Sequence, residues 1–111
     1  MALLREYKEI AYQWGIWKTE ESPEELLALL PDPERYEQQL TLFSSPHRKL
    51  EWLSVRVLLY QLLGEEKTIE YAPSGKPHLA DSSYFISISH TRGYVAVILS
   101  PVSEVGIDIE Q

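Results

Sequence analysis

Two carboxylates close the sequence in an arrangement suited to a hard cation. In Glu104-Val105-Gly106-Ile107-Asp108-Ile109-Glu110 the odd positions are branched aliphatics and the even ones are acidic or glycine. Read as a strand, this run puts Val105, Ile107 and Ile109 on a core face and Asp108 with Glu110 on the other, about 6 to 7 Å apart. Carboxylates so spaced can converge on Mg²⁺, which prefers a few carboxylates plus phosphate oxygens and waters. An amphipathic strand with a wet face explains the same residues equally well. Gly106 favours the functional reading, because a strand glycine often marks close approach of a ligand.

Ser89-His90 ends another strand-like run, Phe85 to Ser89. Neighbours in an extended strand point to opposite faces, so this pair is a poor nucleophile and base and a hydrolase dyad is disfavoured. A strand-end histidine can instead donate to a phosphate, with Ser89 offering its hydroxyl or N–H. A satisfied structural histidine is the plain alternative. Gly75-Lys76-Pro77 sets a cation between a flexible and a rigid residue, a turn able to hold an ammonium against a phosphate. It is also an ordinary exposed turn, and it lacks the residues of a P-loop.

The elements that must position these residues follow from local signals. Ile10, Tyr12, Trp14 and Ile16 alternate with Ala11, Gln13, Gly15 and Trp17, which predicts a first strand. Ser22-Pro23-Glu24-Glu25 carries a capping serine, a proline for the first helical position and a glutamate three residues on, opening a short helix through Leu30. Asp32-Pro33-Glu34 opens a second toward Leu40. Ser45-Pro46 opens a third that runs to a stop at Gly64.

From Pro46 to Leu63 this third helix holds Arg48, Lys49 and Arg56 against Glu51, net basic, and its Val55–Leu63 half is apolar on most faces. Lys49 and Arg56, two turns apart, are expected to share a stripe with Arg48 offset from it. Solvated basic residues on a core helix are the simpler account of the helix taken alone. Beyond Gly64, Thr68–Tyr71, Phe85–Ser89, Tyr94–Leu99 and Val105–Ile109 read as strands, with Ala72–Pro77 a loop and Thr91-Arg92-Gly93 a hairpin link. A strand, three helices and then a β meander predict an α+β domain, with an antiparallel meander packed against a long helix.

With 111 residues, 44% apolar and 24% charged, the chain makes a single globular domain over 1–111 rather than two domains or a disordered segment. Ten Lys and Arg against 17 Asp and Glu leave a net charge of −7, which argues against nucleic-acid binding and confines any anion site to a local patch. The absence of cysteine excludes a disulfide scaffold, a thiolate metal site and a Cys nucleophile. No stretch approaches a membrane span and the N-terminal residues lack a signal-peptide pattern, so a soluble cytoplasmic protein without membrane partners is expected.

The order of Gly75-Lys76-Pro77-His78-Leu79, Phe85-Ile86-Ser87-Ile88-Ser89-His90-Thr91-Arg92-Gly93-Tyr94 and Val105-Gly106-Ile107-Asp108-Ile109-Glu110 resembles the N-terminal half of 4′-phosphopantetheinyl transferases of the surfactin-synthetase type. His47–Arg56 resembles that family's basic helix, and the likeness runs from about Asp32 onward. It implies one half of a pseudo-two-fold fold, and transfer of phosphopantetheine from coenzyme A to a serine of an acyl or peptidyl carrier protein. It further implies Asp108 and Glu110 as Mg²⁺ ligands, and His90 and Ser89 as phosphate contacts. Gly75, Lys76 and Pro77 would form the adenine and 3′-phosphate turn, and Arg48 and Arg56 would bind phosphate, with Arg35 a further basic contact. On this resemblance His90, Asp108 and Glu110 are the catalytic set.

The second half of such enzymes carries a Trp-x-x-Lys-Glu motif whose glutamate completes the metal site. These 111 residues contain no such motif. The chain is therefore expected to be an excised or truncated N-terminal half, inactive alone and prone to pair as a homodimer through the surface the second half would cover. Two other readings compete: a non-catalytic module that binds coenzyme A or a carrier protein, and an unrelated Mg²⁺-dependent phosphohydrolase.

Overall fold

A computed structural model of the protein describes residues 3–8 and 12–107. Strands β1 (Leu3–Lys8) and β2 (Gln13–Lys18) precede helices α1 (Pro23–Ala28), α2 (Glu34–Leu40) and α3 (Pro46–Leu63). Strands β3 (Ile69–Tyr71), β4 (Pro77–Leu79), β5 (Phe85–Thr91) and β6 (Tyr94–Ser100) follow. The fold is α+β with two antiparallel sheets and one long helix.

The main sheet has the order β1-β2-β6-β5. Alternation along β2 buries Gly15 and Trp17, and β6 sets Val97 and Val95 opposite them. Trp17, Val95, Val97 and Leu99 are fully buried, and α3 packs across β2 and β6. The Trp17 indole N–H stays satisfied by donating to Glu21 Oε1 at 3.3 Å. The β5–β6 hairpin turns on Arg92-Gly93, where Gly93 takes φ +78°, and the Gly93 carbonyl accepts from Thr19 N at 2.7 Å.

Helix boundaries follow their caps. Ser22 Oγ accepts from Glu25 N at 3.2 Å while Ser22 N donates to Glu25 Oε1 at 3.0 Å, a reciprocal box. Ser45 caps α3, and Gly64 ends it in the left-handed region at φ +74°, donating to Tyr60 O at 2.7 Å. Every residue from Leu53 to Leu59 is buried, so the middle of α3 is enclosed on all faces. Its one buried hydroxyl there, Ser54, meets Thr19 Oγ1 at 2.7 Å.

Several expectations need correction. The first sheet strands are Leu3–Lys8 and Gln13–Lys18 rather than one run from Ile10; Ile10 and Ala11 lie outside the described residues. The Ala72–Pro77 loop is the tip of a hairpin, since Pro77–Leu79 pairs with Ile69–Tyr71. Pro77 opens its strand, a position where a missing N–H is tolerated. Val105–Ile107 is not a strand, and among the described residues the meander ends at β6, since β2 occupies the edge of β6 that a third strand would need. The segment instead touches β5 through Ile107 N donating to Ser87 Oγ at 3.3 Å. Asp108, Ile109 and Glu110 lie outside the described residues.

Candidate functional site

A groove of about 420 Å³ opens where α3, β5 and the β3–β4 hairpin meet. Helix α3 contributes Arg48, Glu51, Trp52, Val55 and Arg56, positions separated by three or four residues and therefore on one face. Strand β5 contributes Ile88 and His90, two residues apart and on one side of the sheet. Gly75, Pro77 and Tyr71 of the hairpin and Phe43 ahead of α3 complete the lining. Five of the residues singled out in the sequence thus come together: Arg48, Arg56, Gly75, Pro77 and His90.

Arg56 is the group the groove is built around. Its side chain is buried, with the residue only 6% exposed, and the guanidinium carbon lies 3.9 Å from the centroid of the Trp52 ring. Nη1 donates to Trp52 O at 3.3 Å and Nη2 to Tyr71 Oη at 3.4 Å. Burial pulls its pKa below the ordinary arginine value, while Tyr71 and Tyr36 act in the opposite direction. No carboxylate among the described residues pairs with Arg56 or with Arg48. An arginine keeps its charge even when buried, so this one is held by an aromatic face and neutral oxygens alone.

Glu51 is the groove's acid. Its Oε2 lies 3.0 Å from His90 Nδ1 and 3.6 Å from His47 Nε2. The carboxylate side chain is 17% exposed, against 57% for His90 and 63% for His47, so the two imidazoles stand outside it.

Other expected residues sit elsewhere. Lys76 points to a neighbouring cavity of about 350 Å³, where Nζ pairs with Glu104 Oε1 at 2.9 Å. Ser89, adjacent to His90 in β5, is not in the groove lining, as strand alternation requires. Lys49 shares the stripe of Arg56 two turns on but is absent from the groove lining, where Arg48, offset from that stripe, joins Arg56. At about 100° per residue the groove face centres near Arg48, Trp52 and Val55. Arg35 lies in a separate cleft of about 170 Å³, hydrogen-bonded to Thr68 and 3.8 Å from Glu66.

Glu51, Trp52, Tyr71 and Phe43 were not anticipated as site residues. Two signals were present in α3: Trp52 and Arg56 at i, i+4, the spacing of a stacked cation–aromatic pair, and His47 and Glu51 at the same spacing. Among the described residues no group of three or more His, Asp or Glu is arranged to hold a metal ion, and no helix is long and apolar enough to cross a membrane.

No family model matches the chain. Over 64 residues it is 38% identical to the 4′-phosphopantetheinyl transferase AcpT of Salmonella typhi, an alignment covering 57% of this chain and 33% of that protein. The same identity and coverage hold for the AcpT proteins of Salmonella typhimurium and Escherichia coli K12. The chain spans about a third of the length of the curated relatives it matches, and what it shares with them is similarity to 4′-phosphopantetheinyl transferases.

Proposed function

We propose that this chain forms the coenzyme A-binding part of a 4′-phosphopantetheinyl transferase of the surfactin-synthetase type. The observation that carries the reading is the buried guanidinium of Arg56, which faces a groove with no carboxylate partner among the described residues. A buried charge without a counter-charge is costly, and an anionic ligand offsets that cost. Arg48 at the mouth and His90 across the groove add donors for a second phosphate. Similarity to proteins named as phosphopantetheinyl transferases supports coenzyme A as that polyanion.

In the transfer, a carrier-protein serine oxygen bonds to the β-phosphorus of coenzyme A. The bond from that phosphorus to the bridging oxygen breaks, the serine proton is released, and adenosine 3′,5′-bisphosphate leaves. Arg48, Arg56 and His90 hold the leaving group's phosphates, and Lys76 is available to the 3′-phosphate. Asp108 and Glu110 would hold Mg²⁺ through carboxylate oxygens, the hard ligands that ion takes. Bound there, it supplies charge neutralisation on the pyrophosphate. Pairing of two copies through a surface that includes exposed Phe85 and Val102 belongs to the same proposal.

The second reading, a binding module without chemistry, has one observation in its favour: the anion-ready groove is formed by described residues of this chain alone. Calorimetric titration with coenzyme A tests what the two readings share. Saturable binding, competed by adenosine 3′,5′-bisphosphate and weakened about tenfold or more in His90→Ala, is expected, since a hydrogen bond to a charged group is worth about 1.5 to 3 kcal/mol. A chain that binds neither ligand removes both readings. A carrier-protein loading assay on the whole protein then separates the transferase from the module.

A further inference from the structure

Glu51 is an acid in a groove whose other charged lining residues are arginines, with His90 opposite. As a direct ligand contact it would repel the anion the groove is built for. Its placement answers that objection: the carboxylate is the most enclosed of the three groups, and the two imidazoles that cover it contact the same oxygen. We infer that Glu51 is the positioning residue for His90, holding the imidazole by Nδ1 so that Nε2 is the nitrogen presented to a phosphate. The inference rests on the groove binding coenzyme A as proposed above.

The chemistry follows from the two ring nitrogens. A carboxylate oxygen 3.0 Å from Nδ1 is placed to accept the Nδ1 proton and so to fix the ring's rotation; in the imidazolium both nitrogens are donors, which leaves the Nε2 N–H for a phosphate. A metal-bound or catalytic histidine is oriented in the same way by an acceptor on its far nitrogen. Without Glu51 the half-exposed ring is free to turn about its own bonds, and its donor is no longer aimed. His47, one turn before Glu51 on α3, stands with Nε2 3.6 Å from the same oxygen and shields it from an incoming anion.

The test uses coenzyme A as the probe with the full 111-residue chain. Glu51→Ala should weaken binding about tenfold. Glu51→Gln, whose amide oxygen can still accept from Nδ1, should recover most of that loss. Glu51→Ala combined with His90→Ala should bind no more weakly than His90→Ala by itself, because both substitutions remove one device. Wild-type or tighter affinity in Glu51→Ala, or losses that simply add, would overturn the inference. So would a lowered melting temperature with unchanged affinity, which would mark the contact as a tie between α3 and β5.

A second readout needs no ligand. Long-range ¹H–¹⁵N spectra of the imidazoles should show neutral His90 protonated at Nδ1 in the wild type and in Glu51→Gln, and redistributed toward Nε2 in Glu51→Ala. A chain that binds no coenzyme A yet shows this redistribution loses the proposed function and keeps the positioning role. A His90 spectrum indifferent to Glu51→Ala sinks the positioning role whatever the chain binds. If Glu51→Ala fails to fold, a His90 in Glu51→Gln with the tautomer of free histidine gives the same negative answer.

Discussion

The Arg56 guanidinium stacks 3.9 Å above the Trp52 ring one turn earlier on the same helix, and Tyr71 from the β3–β4 hairpin meets its other edge. The stacked face and the hydrogen bonds fix where the cation sits, and with no carboxylate partner among the described residues it can take an anion. A purely structural arginine in this position would be expected to carry a salt bridge.

Arg56→Met separates the two roles. Replacing a buried charge by an apolar side chain of similar length is expected to leave stability within about 1 kcal/mol of wild type, because the lost stacking is offset by the relieved desolvation. Coenzyme A affinity should fall at least about tenfold, the loss of one charged phosphate contact. Thermal melts and calorimetry on one preparation decide the matter. A large stability loss with unchanged affinity would make Arg56 a core group and empty the groove of its main cation.

Asp108→Ala and Glu110→Ala, placed in the whole protein, should each abolish Mg²⁺-dependent carrier loading and leave the melting temperature near normal. The segment leading into them is held beside β5 by the Ile107–Ser87 contact, and the alternation of the sequence sets both carboxylates on the face opposite its aliphatic residues. Retained loading in both variants, accompanied by several degrees of destabilisation, would show the pair to be structural.

The three helices were legible because their ends are local chemistry: Ser22 and Ser45 cap, Pro23 and Pro46 sit at first helical positions, and Gly64 takes a conformation few other residues adopt. The strands were less so. Pro77-His78-Leu79 is too short to show a period, and it becomes a strand only because Ile69–Tyr71 lies opposite. Val105–Ile107 has the alternation of a strand but lacks a free edge on β6, which β2 has taken. The groove was half legible for a similar reason. Charge and motif pointed to Arg48, Arg56, Gly75, Pro77 and His90. Glu51 and Trp52 leave only i, i+4 spacings to His47 and Arg56 in the sequence, and they enter the groove through the facing of α3 against β5 and the hairpin, a tertiary fact.

Alkaline stability should report on a different contact. Tyr36 Oη donates to Glu66 Oε2 at 2.5 Å, and burial, followed by this bond to an anion, pushes the phenol well above its ordinary value. The folded state therefore keeps a proton that the unfolded chain begins to lose near pH 10, so this contribution is fully present below about pH 10 and falls as pH rises beyond it. Tyr36→Phe should cost about 1.5 to 3 kcal/mol at neutral pH and flatten the decline above pH 10. Urea unfolding from pH 8 to 11 measures both, and parallel slopes in the two proteins would refute the assignment.

Lys76 sits at the tip of the β3–β4 hairpin between two residues of the groove, Gly75 and Pro77, yet its ammonium is turned into the neighbouring cavity by Glu104. Both side chains are well exposed, 63% and 72%, and an exposed pair of this kind is worth about 0 to 1 kcal/mol. The four-carbon stem can leave Glu104 by rotamer changes alone, so a phosphate in the groove should compete for it. Glu104→Gln should therefore tighten coenzyme A binding about two- to threefold at low salt without moving the melting temperature. The gain should shrink as ionic strength rises past about 0.15 M, where charges are screened beyond about 8 Å. In a Lys76→Ala background the gain should vanish, because no ammonium remains to be released. An affinity that rises equally in both backgrounds would mean that Glu104 acts only by repelling the ligand, and Lys76 would then have no place in the site.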